Sequence, residues 1–172
     1  LIGGYSMLAS HANGKIINNK QLPVAKEISF EIGIVEGTGH GNRFIHFMDS
    51  ASVGEYLGLN ERNTKFGIMF DCDGAKAEIY VNGAKQTLTG DVNVKTLEKN
   101  KKAIWEKTPV VHFVSVRFGN DTEKTKVYID NELVAELDIK QSDFASGKVQ
   151  LVSDFWEGGG DPWVFFSAFD PF

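Results

Sequence analysis

The stretches EIYVNG (residues 78–83) and KVYIDN (residues 126–131) decide the fold class of this chain. Each stretch alternates polar and apolar side chains and then ends in two residues that favour tight turns. The second stretch continues as ELVAEL (residues 132–137), which suits a strand returning along the first. This pattern is typical of antiparallel hairpins that bury one face. The sequence therefore predicts an architecture built from antiparallel strands.

The same alternation of polar and apolar residues recurs along most of the chain. Further strands are predicted at 28–34, 43–48, 65–72, 114–118, 148–151 and 163–169. Clusters of Gly, Asn and Asp separate them, and many short strands at even spacing indicate an all-β sandwich or barrel. Few segments of the sequence favour a helix. Short helices are predicted only at 93–104 and at 141–145, where Gly147 suits a C-terminal cap.

Length and composition narrow the class of protein. The 172 residues are predicted to form one domain, 1–172, and because the chain begins abruptly at Leu1 we expect it to be excised from a larger protein. A hydrophobic fraction of 42% and a charged fraction of 24% indicate a globular chain. The net charge of −5 argues against a nucleic-acid partner, which requires a basic surface. No stretch is long enough for membrane insertion.

Two consecutive strands carry a resemblance to a known superfamily. The segment 111–118, a polar turn and the segment 126–134 resemble the late strands of concanavalin A-like jelly rolls, including laminin G-like domains and carbohydrate-binding modules. The resemblance implies a two-sheet antiparallel β-sandwich of the concanavalin A-like type. That superfamily includes lectins, binding modules, adhesion domains and glycoside hydrolases, so the fold leaves the function open.

A glycosidase reading finds little support in the sequence. Retaining glycosidases place two carboxyl groups about 5–5.5 Å apart. The Glu-x-Asp-x-(x)-Glu run that such enzymes carry on this architecture is absent. Asp154 and Glu157 are the nearest pair, but their i, i+3 spacing directs them to opposite faces of a strand. We therefore expect a non-enzyme, although a carboxylate pair split between strands stays open.

The best candidate for ligand binding is the segment 154–163. Trp156 and Trp163 flank a Gly-rich, acidic loop that also contains Asp154 and Glu157. Aromatic faces contact the apolar side of a sugar ring, while polar groups bind its hydroxyls. The alternative is that either tryptophan closes one end of the core.

Four further residues are candidate ligand contacts. Tyr80 and Tyr128 alternate with apolar residues and are predicted to face away from the core, where each can stack on a ligand or pack against neighbouring Lys side chains. Trp105 lies in a polar region, either exposed or anchoring that loop. Arg117 can donate to a hydroxyl or a carboxylate.

Calcium is the cofactor that the sequence leaves open. Asp71 and Asp73 stand in an Asp-Cys-Asp-Gly run that resembles the start of a calcium loop but lacks its remainder. The alternative for both residues is ordinary turn chemistry.

One triplet, Asn120-Asp121-Thr122, fits the acceptor sequence for N-linked glycosylation. Because that modification depends on the compartment, the triplet alone assigns nothing.

These observations favour a non-catalytic carbohydrate-binding module or lectin-like domain that binds a polysaccharide or glycoconjugate glycan. We expect it to be extracellular or at the cell surface, secreted as part of a larger protein. The alternative is an adhesion module of laminin G type with a protein partner. The third hypothesis is a glycoside hydrolase with a split carboxylate pair.

Overall fold

The computed structural model describes residues 5–9, 14–34, 42–71, 74–98, 110–156 and 164–169. The strands are β1 (Tyr5–Ala9), β2 (Gly14–Ile17), β3 (Leu22–Pro23), β4 (Ile28–Ile34), β5 (Asn42–Asp49), β6 (Phe66–Asp71), β7 (Lys76–Val81), β8 (Ala84–Lys85), β9 (Lys95–Thr96), β10 (Val110–Arg117), β11 (Thr125–Ile129), β12 (Glu132–Leu137), β13 (Lys148–Trp156) and β14 (Val164–Phe169). Two 3-10 helices cover Ser50–Gly58 and Gln141–Asp143.

The strands form two antiparallel sheets. The six-stranded sheet has the order β1-β14-β4-β10-β11-β12. The eight-stranded sheet has the order β2-β13-β5-β6-β7-β8, with β3 beside β13 and β9 beside β7. The two sheets pack as a sandwich, which confirms the predicted fold class.

The core lies between the sheets. On β4, Ile28, Phe30 and Ile32 are each 0% exposed, as their alternation along the strand predicts. The Phe30 ring meets two rings of the opposite sheet, with centroids 6.2 Å from Phe47 and 6.4 Å from Phe70. Burying each such side chain stabilises the fold by about 1.5–3 kcal/mol.

Both predicted hairpins are confirmed, and their turns have the same geometry. Asn82 and Gly83 connect β7 to β8 with φ values of 48° and 77°. Asp130 and Asn131 connect β11 to β12 with φ values of 52° and 64°. Two successive residues with positive φ define the type I′ turn, whose twist matches that of paired strands. Asn, Asp and Gly tolerate this backbone better than other residues.

The first and last described strands are neighbours. β1 pairs antiparallel with β14, with Tyr5 opposite Ala168 and Ala9 opposite Val164. The start of β1 and the end of β14 therefore lie side by side at one end of the six-stranded sheet.

The helix predictions were less accurate than the strand predictions. The prediction of a helix at 93–104 is wrong for 93–98, because β9 (Lys95–Thr96) pairs with β7 there and buries Leu97 beside it. Residues 99–104 lie outside the described ranges. The helix predicted at 141–145 is present as the 3-10 helix Gln141–Asp143, followed by Gly147 at φ 70°.

The 3-10 helix Ser50–Gly58 was not predicted from the sequence. Asp49 caps it by accepting a hydrogen bond from the Ala51 amide at 2.9 Å. None of its residues is buried, so it has no apolar stripe that a periodic pattern reveals. The helix packs beside β2, β5 and β13. Among the described residues, no helix has the length and apolar character needed to cross a membrane.

Candidate functional site

The side of the eight-stranded sheet that faces away from the six-stranded sheet is called here the outer face. On β5, Ile45 and Phe47 point into the core, so Phe44 and His46 lie on the outer face. Phe44 is 0% exposed and His46 is 1% exposed. Both faces of this strand are therefore buried.

Strand register brings residues that are distant in sequence into rows across the outer face. One row contains Asp154, Phe44, Met69 and Glu78, which pair successively across β13, β5, β6 and β7. The next row contains Val152, His46, Gly67 and Tyr80 on the same four strands. The first row therefore has a carboxylate at each end and apolar side chains between them, whereas the second row has His46 in the middle and Tyr80 at one end.

An aromatic cluster occupies the middle of the outer face. The rings of Phe44 and His46 stack with centroids 4.3 Å apart and planes 16° apart. The Phe44 ring also lies 5.4 Å from the ring of Tyr80. Gly67 lies beneath Phe44, where a Cβ atom would stand 2.0 Å from a ring carbon. The missing side chain at position 67 thus lets the Phe44 ring lie across the sheet.

Tyr80 lies between this cluster and the polar side chains Glu78 and Lys85 at the β7–β8 end of the face. Its hydroxyl donates a hydrogen bond of 2.8 Å to the Glu78 carboxylate, which also pairs with the Lys85 ammonium at 3.0 Å. Burial, and then the Glu78 carboxylate, raise the pKa of Tyr80 well above its ordinary value, so the hydroxyl stays protonated. Tyr80 is half-buried, and the Lys85 side chain is 42% exposed. A ring beside a carboxylate and an ammonium can bind a ligand that has both an apolar face and hydroxyl groups.

A second polar group stands at the β2–β13 end of the face. The Lys15 ammonium lies 3.4 Å from Asp154 Oδ2, and His46 Nε2 lies 3.7 Å from the same oxygen. His46 Nδ1 is 2.9 Å from the buried Thr64 hydroxyl. Within the described ranges, Nε2 has no hydrogen-bond partner. Burial lowers the pKa of His46 although Asp154 opposes the shift, so the imidazole is neutral near pH 7.

The two carboxylates of the row are too far apart to act as a glycosidase pair. Asp154 and Glu78 are separated by three interstrand spacings, or roughly 14 Å. Glycosidase carboxyl groups lie about 5–9.5 Å apart. Asp71 is a diagonal neighbour of Glu78, but its Oδ1 accepts a hydrogen bond from the Gly74 amide at 3.0 Å, whereas Glu78 binds Tyr80 and Lys85. Asp71 and Glu78 are thus each engaged by neighbouring groups of their own.

The described part of the chain offers few groups for a metal ion. No cluster of three or more His, Cys, Asp or Glu residues is arranged there to hold a metal ion. The hydrogen bond from Gly74 gives Asp71 a turn-stabilising role. Asp73 lies outside the described residues, and calcium binding stays a prediction.

Solved structures provide the comparison for this architecture. No protein-family model matches the sequence, and no curated protein matches it. The β-glucanase of Bacillus licheniformis superposes with a TM-score of 0.56 at 12% identity, covering 97% of this chain and 79% of the glucanase. A lichenase from a mouse hindgut metagenome gives a TM-score of 0.54 at 12% identity, with 97% and 80% covered.

A carbohydrate recognition domain gives a similar likeness. The metal-free domain of Emp46p superposes with a TM-score of 0.53 at 10% identity, covering 97% of this chain and 88% of that domain. The chain has the concanavalin A-like jelly-roll fold. At these identities the likeness establishes the fold alone.

The jelly roll divides the predicted contact residues between its two sides. Tyr80 and Asp154 lie on the outer face of the eight-stranded sheet. Tyr128 and Arg117 lie on the outward side of the six-stranded sheet, where the guanidinium carbon of Arg117 is 6.0 Å from the Tyr128 ring centroid. Both tyrosines face away from the core, as predicted. One small ligand cannot contact both pairs.

The remaining predicted residues are only partly described. The backbone of Trp156 pairs with Asn42 at the end of β13, while its side chain lies outside the described part of the jelly roll. Glu157, Trp163 and Trp105 lie outside the described residues. Their roles as ligand contacts stay predictions.

The sequence did not indicate several residues of the outer face, namely Phe44, His46, Lys15 and Lys85, nor Thr64 beside His46. The segment RFIHFM (residues 43–48) carries large apolar side chains on both faces of its strand, so its alternation does not distinguish the outer face from the core. Lys15 and Lys85 become neighbours of Asp154 and Glu78 only through strand pairing.

Proposed function

We propose that this jelly roll is a non-catalytic carbohydrate-binding domain whose binding surface includes the Tyr80 end of the outer face. The observation that carries the proposal is the half-buried Tyr80 ring beside the Glu78–Lys85 pair. A tyrosine ring contacts the apolar face of a sugar, and the carboxylate and ammonium can bind its hydroxyls. The glucanases and the carbohydrate recognition domain with this fold support a glycan as the ligand.

The arrangement of acids supports binding rather than hydrolysis. Asp154 and Glu78 stand at opposite ends of their row, and the Glu78 carboxylate already binds both Tyr80 and Lys85. A general acid or nucleophile requires a carboxyl group that meets the scissile bond opposite a second one. On the outer face, Asp154 instead forms an ion pair with Lys15, and Glu78 forms one with Lys85.

The charges of the outer face favour an uncharged glycan. Lys85 pairs with Glu78 at one end and Lys15 with Asp154 at the other, so each charge is balanced by its neighbour. A polyanionic glycan would need an excess of cations on this face. We therefore propose a neutral polysaccharide or glycoconjugate, bound by a domain that belongs to an extracellular or cell-surface protein.

The proposal is tested by a glycan-array screen of the purified domain, run once with calcium and once with a chelator. We expect specific binding to a neutral glycan. Binding that survives chelation would exclude a metal from the site, and binding lost on chelation would establish one. A blank array from folded protein would contradict the proposal and favour the protein-binding alternative of laminin G type.

The doubled hairpin supplies a matched pair of variants for that glycan. Tyr80→Ala should weaken binding by about 2–10-fold, because an aromatic contact contributes about 0.5–1.5 kcal/mol beyond its buried area. Tyr128→Ala changes the equivalent residue on the other side of the sandwich and should leave binding unchanged. Equal effects of the two variants in a titration would contradict the placement of the site. The sequence further predicts that Trp156→Ala or Trp163→Ala abolishes binding while folding is retained.

A further inference from the structure

The turn that connects β10 to β11 carries the acceptor triplet Asn120-Asp121-Thr122. All three residues are exposed. The sequence contains an Asn-x-Ser/Thr triplet at this position and nowhere else. A single exposed acceptor on a turn is the setting in which an N-linked glycan is tolerated by a folded domain.

The hydrogen bonds of this turn use one side of the Asn120 amide. Its Oδ1 accepts from the Thr122 amide at 2.9 Å, from the Thr122 hydroxyl at 2.9 Å and from the Glu123 amide at 3.0 Å. The Asn120 backbone amide donates to the Glu123 carbonyl at 2.9 Å. The side-chain nitrogen, Nδ2, makes no hydrogen bond within the described part of the chain. Asn120 Oδ1 thus stabilises the turn, while Nδ2 is available to form a covalent bond.

We propose that Asn120 is an N-glycosylation site of this protein, with a lipid-linked oligosaccharide as the donor and an oligosaccharyl transferase as the enzyme. Nδ2 forms the new bond to C1 of the reducing-end sugar. The C1–O bond to the lipid pyrophosphate breaks, the lipid pyrophosphate leaves with the electron pair, and the amide nitrogen gives one proton to a base of the transferase. Asn120 Oδ1 keeps all three hydrogen bonds in the product, so the turn is unchanged.

The position of Asn120 keeps an attached glycan away from the proposed binding surface. Asn120 stands on a connection within the six-stranded sheet, whereas Tyr80 lies on the outer face of the eight-stranded sheet. The neighbouring Asp121 is held by the Lys140 ammonium at 2.7 Å, also at the surface. The modification is therefore independent of the proposed function, and either can fail without the other.

The test is expression of the full chain behind a secretion signal in eukaryotic cells, followed by intact mass measurement. We expect an added mass that peptide-N-glycanase removes, leaving aspartate at position 120. A secreted, folded chain with unmodified Asn120 would overturn the proposal, and so would an added mass at another residue.

Four variants separate glycosylation from the structural role of the turn. Asn120→Asp keeps the oxygen that accepts the three hydrogen bonds but removes the nitrogen, so it should lose the glycan and keep its thermal stability. Thr122→Ala should also lose the glycan, whereas Thr122→Ser should retain it. Asn120→Ala should lose both the glycan and part of the stability. An added mass on secreted Asn120→Asp would overturn the assignment.

Discussion

At the residue scale, Gly67 sets the position of the aromatic cluster. Gly67→Ala places a Cβ atom 2.0 Å from the Phe44 ring, which must leave its stack on His46. We expect a loss of about 1–3 kcal/mol in the free energy of unfolding, as in other overpacked sites. Urea denaturation measures it, with Gly54→Ala as the control because nothing lies within 4 Å of a Cβ there. A variant at position 67 as stable as wild type would contradict the packing described.

His46 makes the stability of the domain depend on pH. Burial lowers its pKa in the folded state, so between that value and 6.5 the unfolded chain binds more protons than the folded one. The contribution of His46 to the free energy of unfolding is therefore complete above pH 6.5. It falls as the pH drops towards the lowered pKa, by at most about 1.4 kcal/mol per pH unit. The charged groups that act on His46 are Asp154, Lys15 and Glu61.

His46→Gln tests this dependence because glutamine keeps a polar group near Thr64 but does not titrate. We expect its unfolding free energy to change less between pH 7 and pH 5 than that of wild type. Asp49 does not titrate in this window: burial alone would raise its pKa, but the hydrogen bonds from Ser146 and Ala51 together outweigh burial and lower the pKa from its ordinary value. Identical slopes in the two proteins would show that His46 is not the responsible group.

At the element scale, the β7–β8 hairpin depends on contact with the preceding loop as well as on its own turn. Gly83 has a φ of 77°, and a Cβ atom there would stand 2.0 Å from the Arg62 carbonyl oxygen. Gly90 has a similar φ of 87° with nothing within 4 Å. Gly83→Ala and Gly90→Ala should therefore share a backbone cost of about 1–2 kcal/mol. Only Gly83→Ala should add a steric cost.

Thermal denaturation of the two glycine variants separates these effects. Gly83→Ala should melt at a clearly lower temperature than Gly90→Ala, which in turn should melt below wild type. Equal melting temperatures for the two variants would mean that the loop containing Arg62 moves away without cost.

The same hairpins explain why strands were easier to predict than the short helices and connecting segments between them. A type I′ turn can be predicted from two adjacent residues that tolerate positive φ. Asn82-Gly83 and Asp130-Asn131 are such pairs. The 3-10 helix Ser50–Gly58 has no buried residue and therefore no pattern to detect. In the segment 93–98, which was predicted as part of a helix, Lys95 and Thr96 pair with β7, and this pairing with a distant strand cannot be detected from the local sequence.

At the scale of the whole molecule, the sequence predicts the sandwich but not on which of its two outward surfaces each candidate residue lies. Tyr80 and Tyr128 occupy equivalent places in two stretches with the same alternating pattern, so their local patterns cannot place them on opposite sides. His46 reaches Thr64 and Asp154 only because β5 pairs with both β6 and β13. Such contacts depend on strand order, which alternation along a single strand does not specify.

The pairing of β1 with β14 has a mechanical consequence. Because the start of β1 lies beside the end of β14, a flanking chain attached at each end would leave the domain through adjacent points. Tension between those points would open the hydrogen bonds of this pair one after another, like a zipper, instead of loading them together in shear. The domain would then respond to pulling by peeling from this edge. The next strands along the chain from the two ends are β2 and β13, so the Lys15–Asp154 end of the outer face would be loaded next.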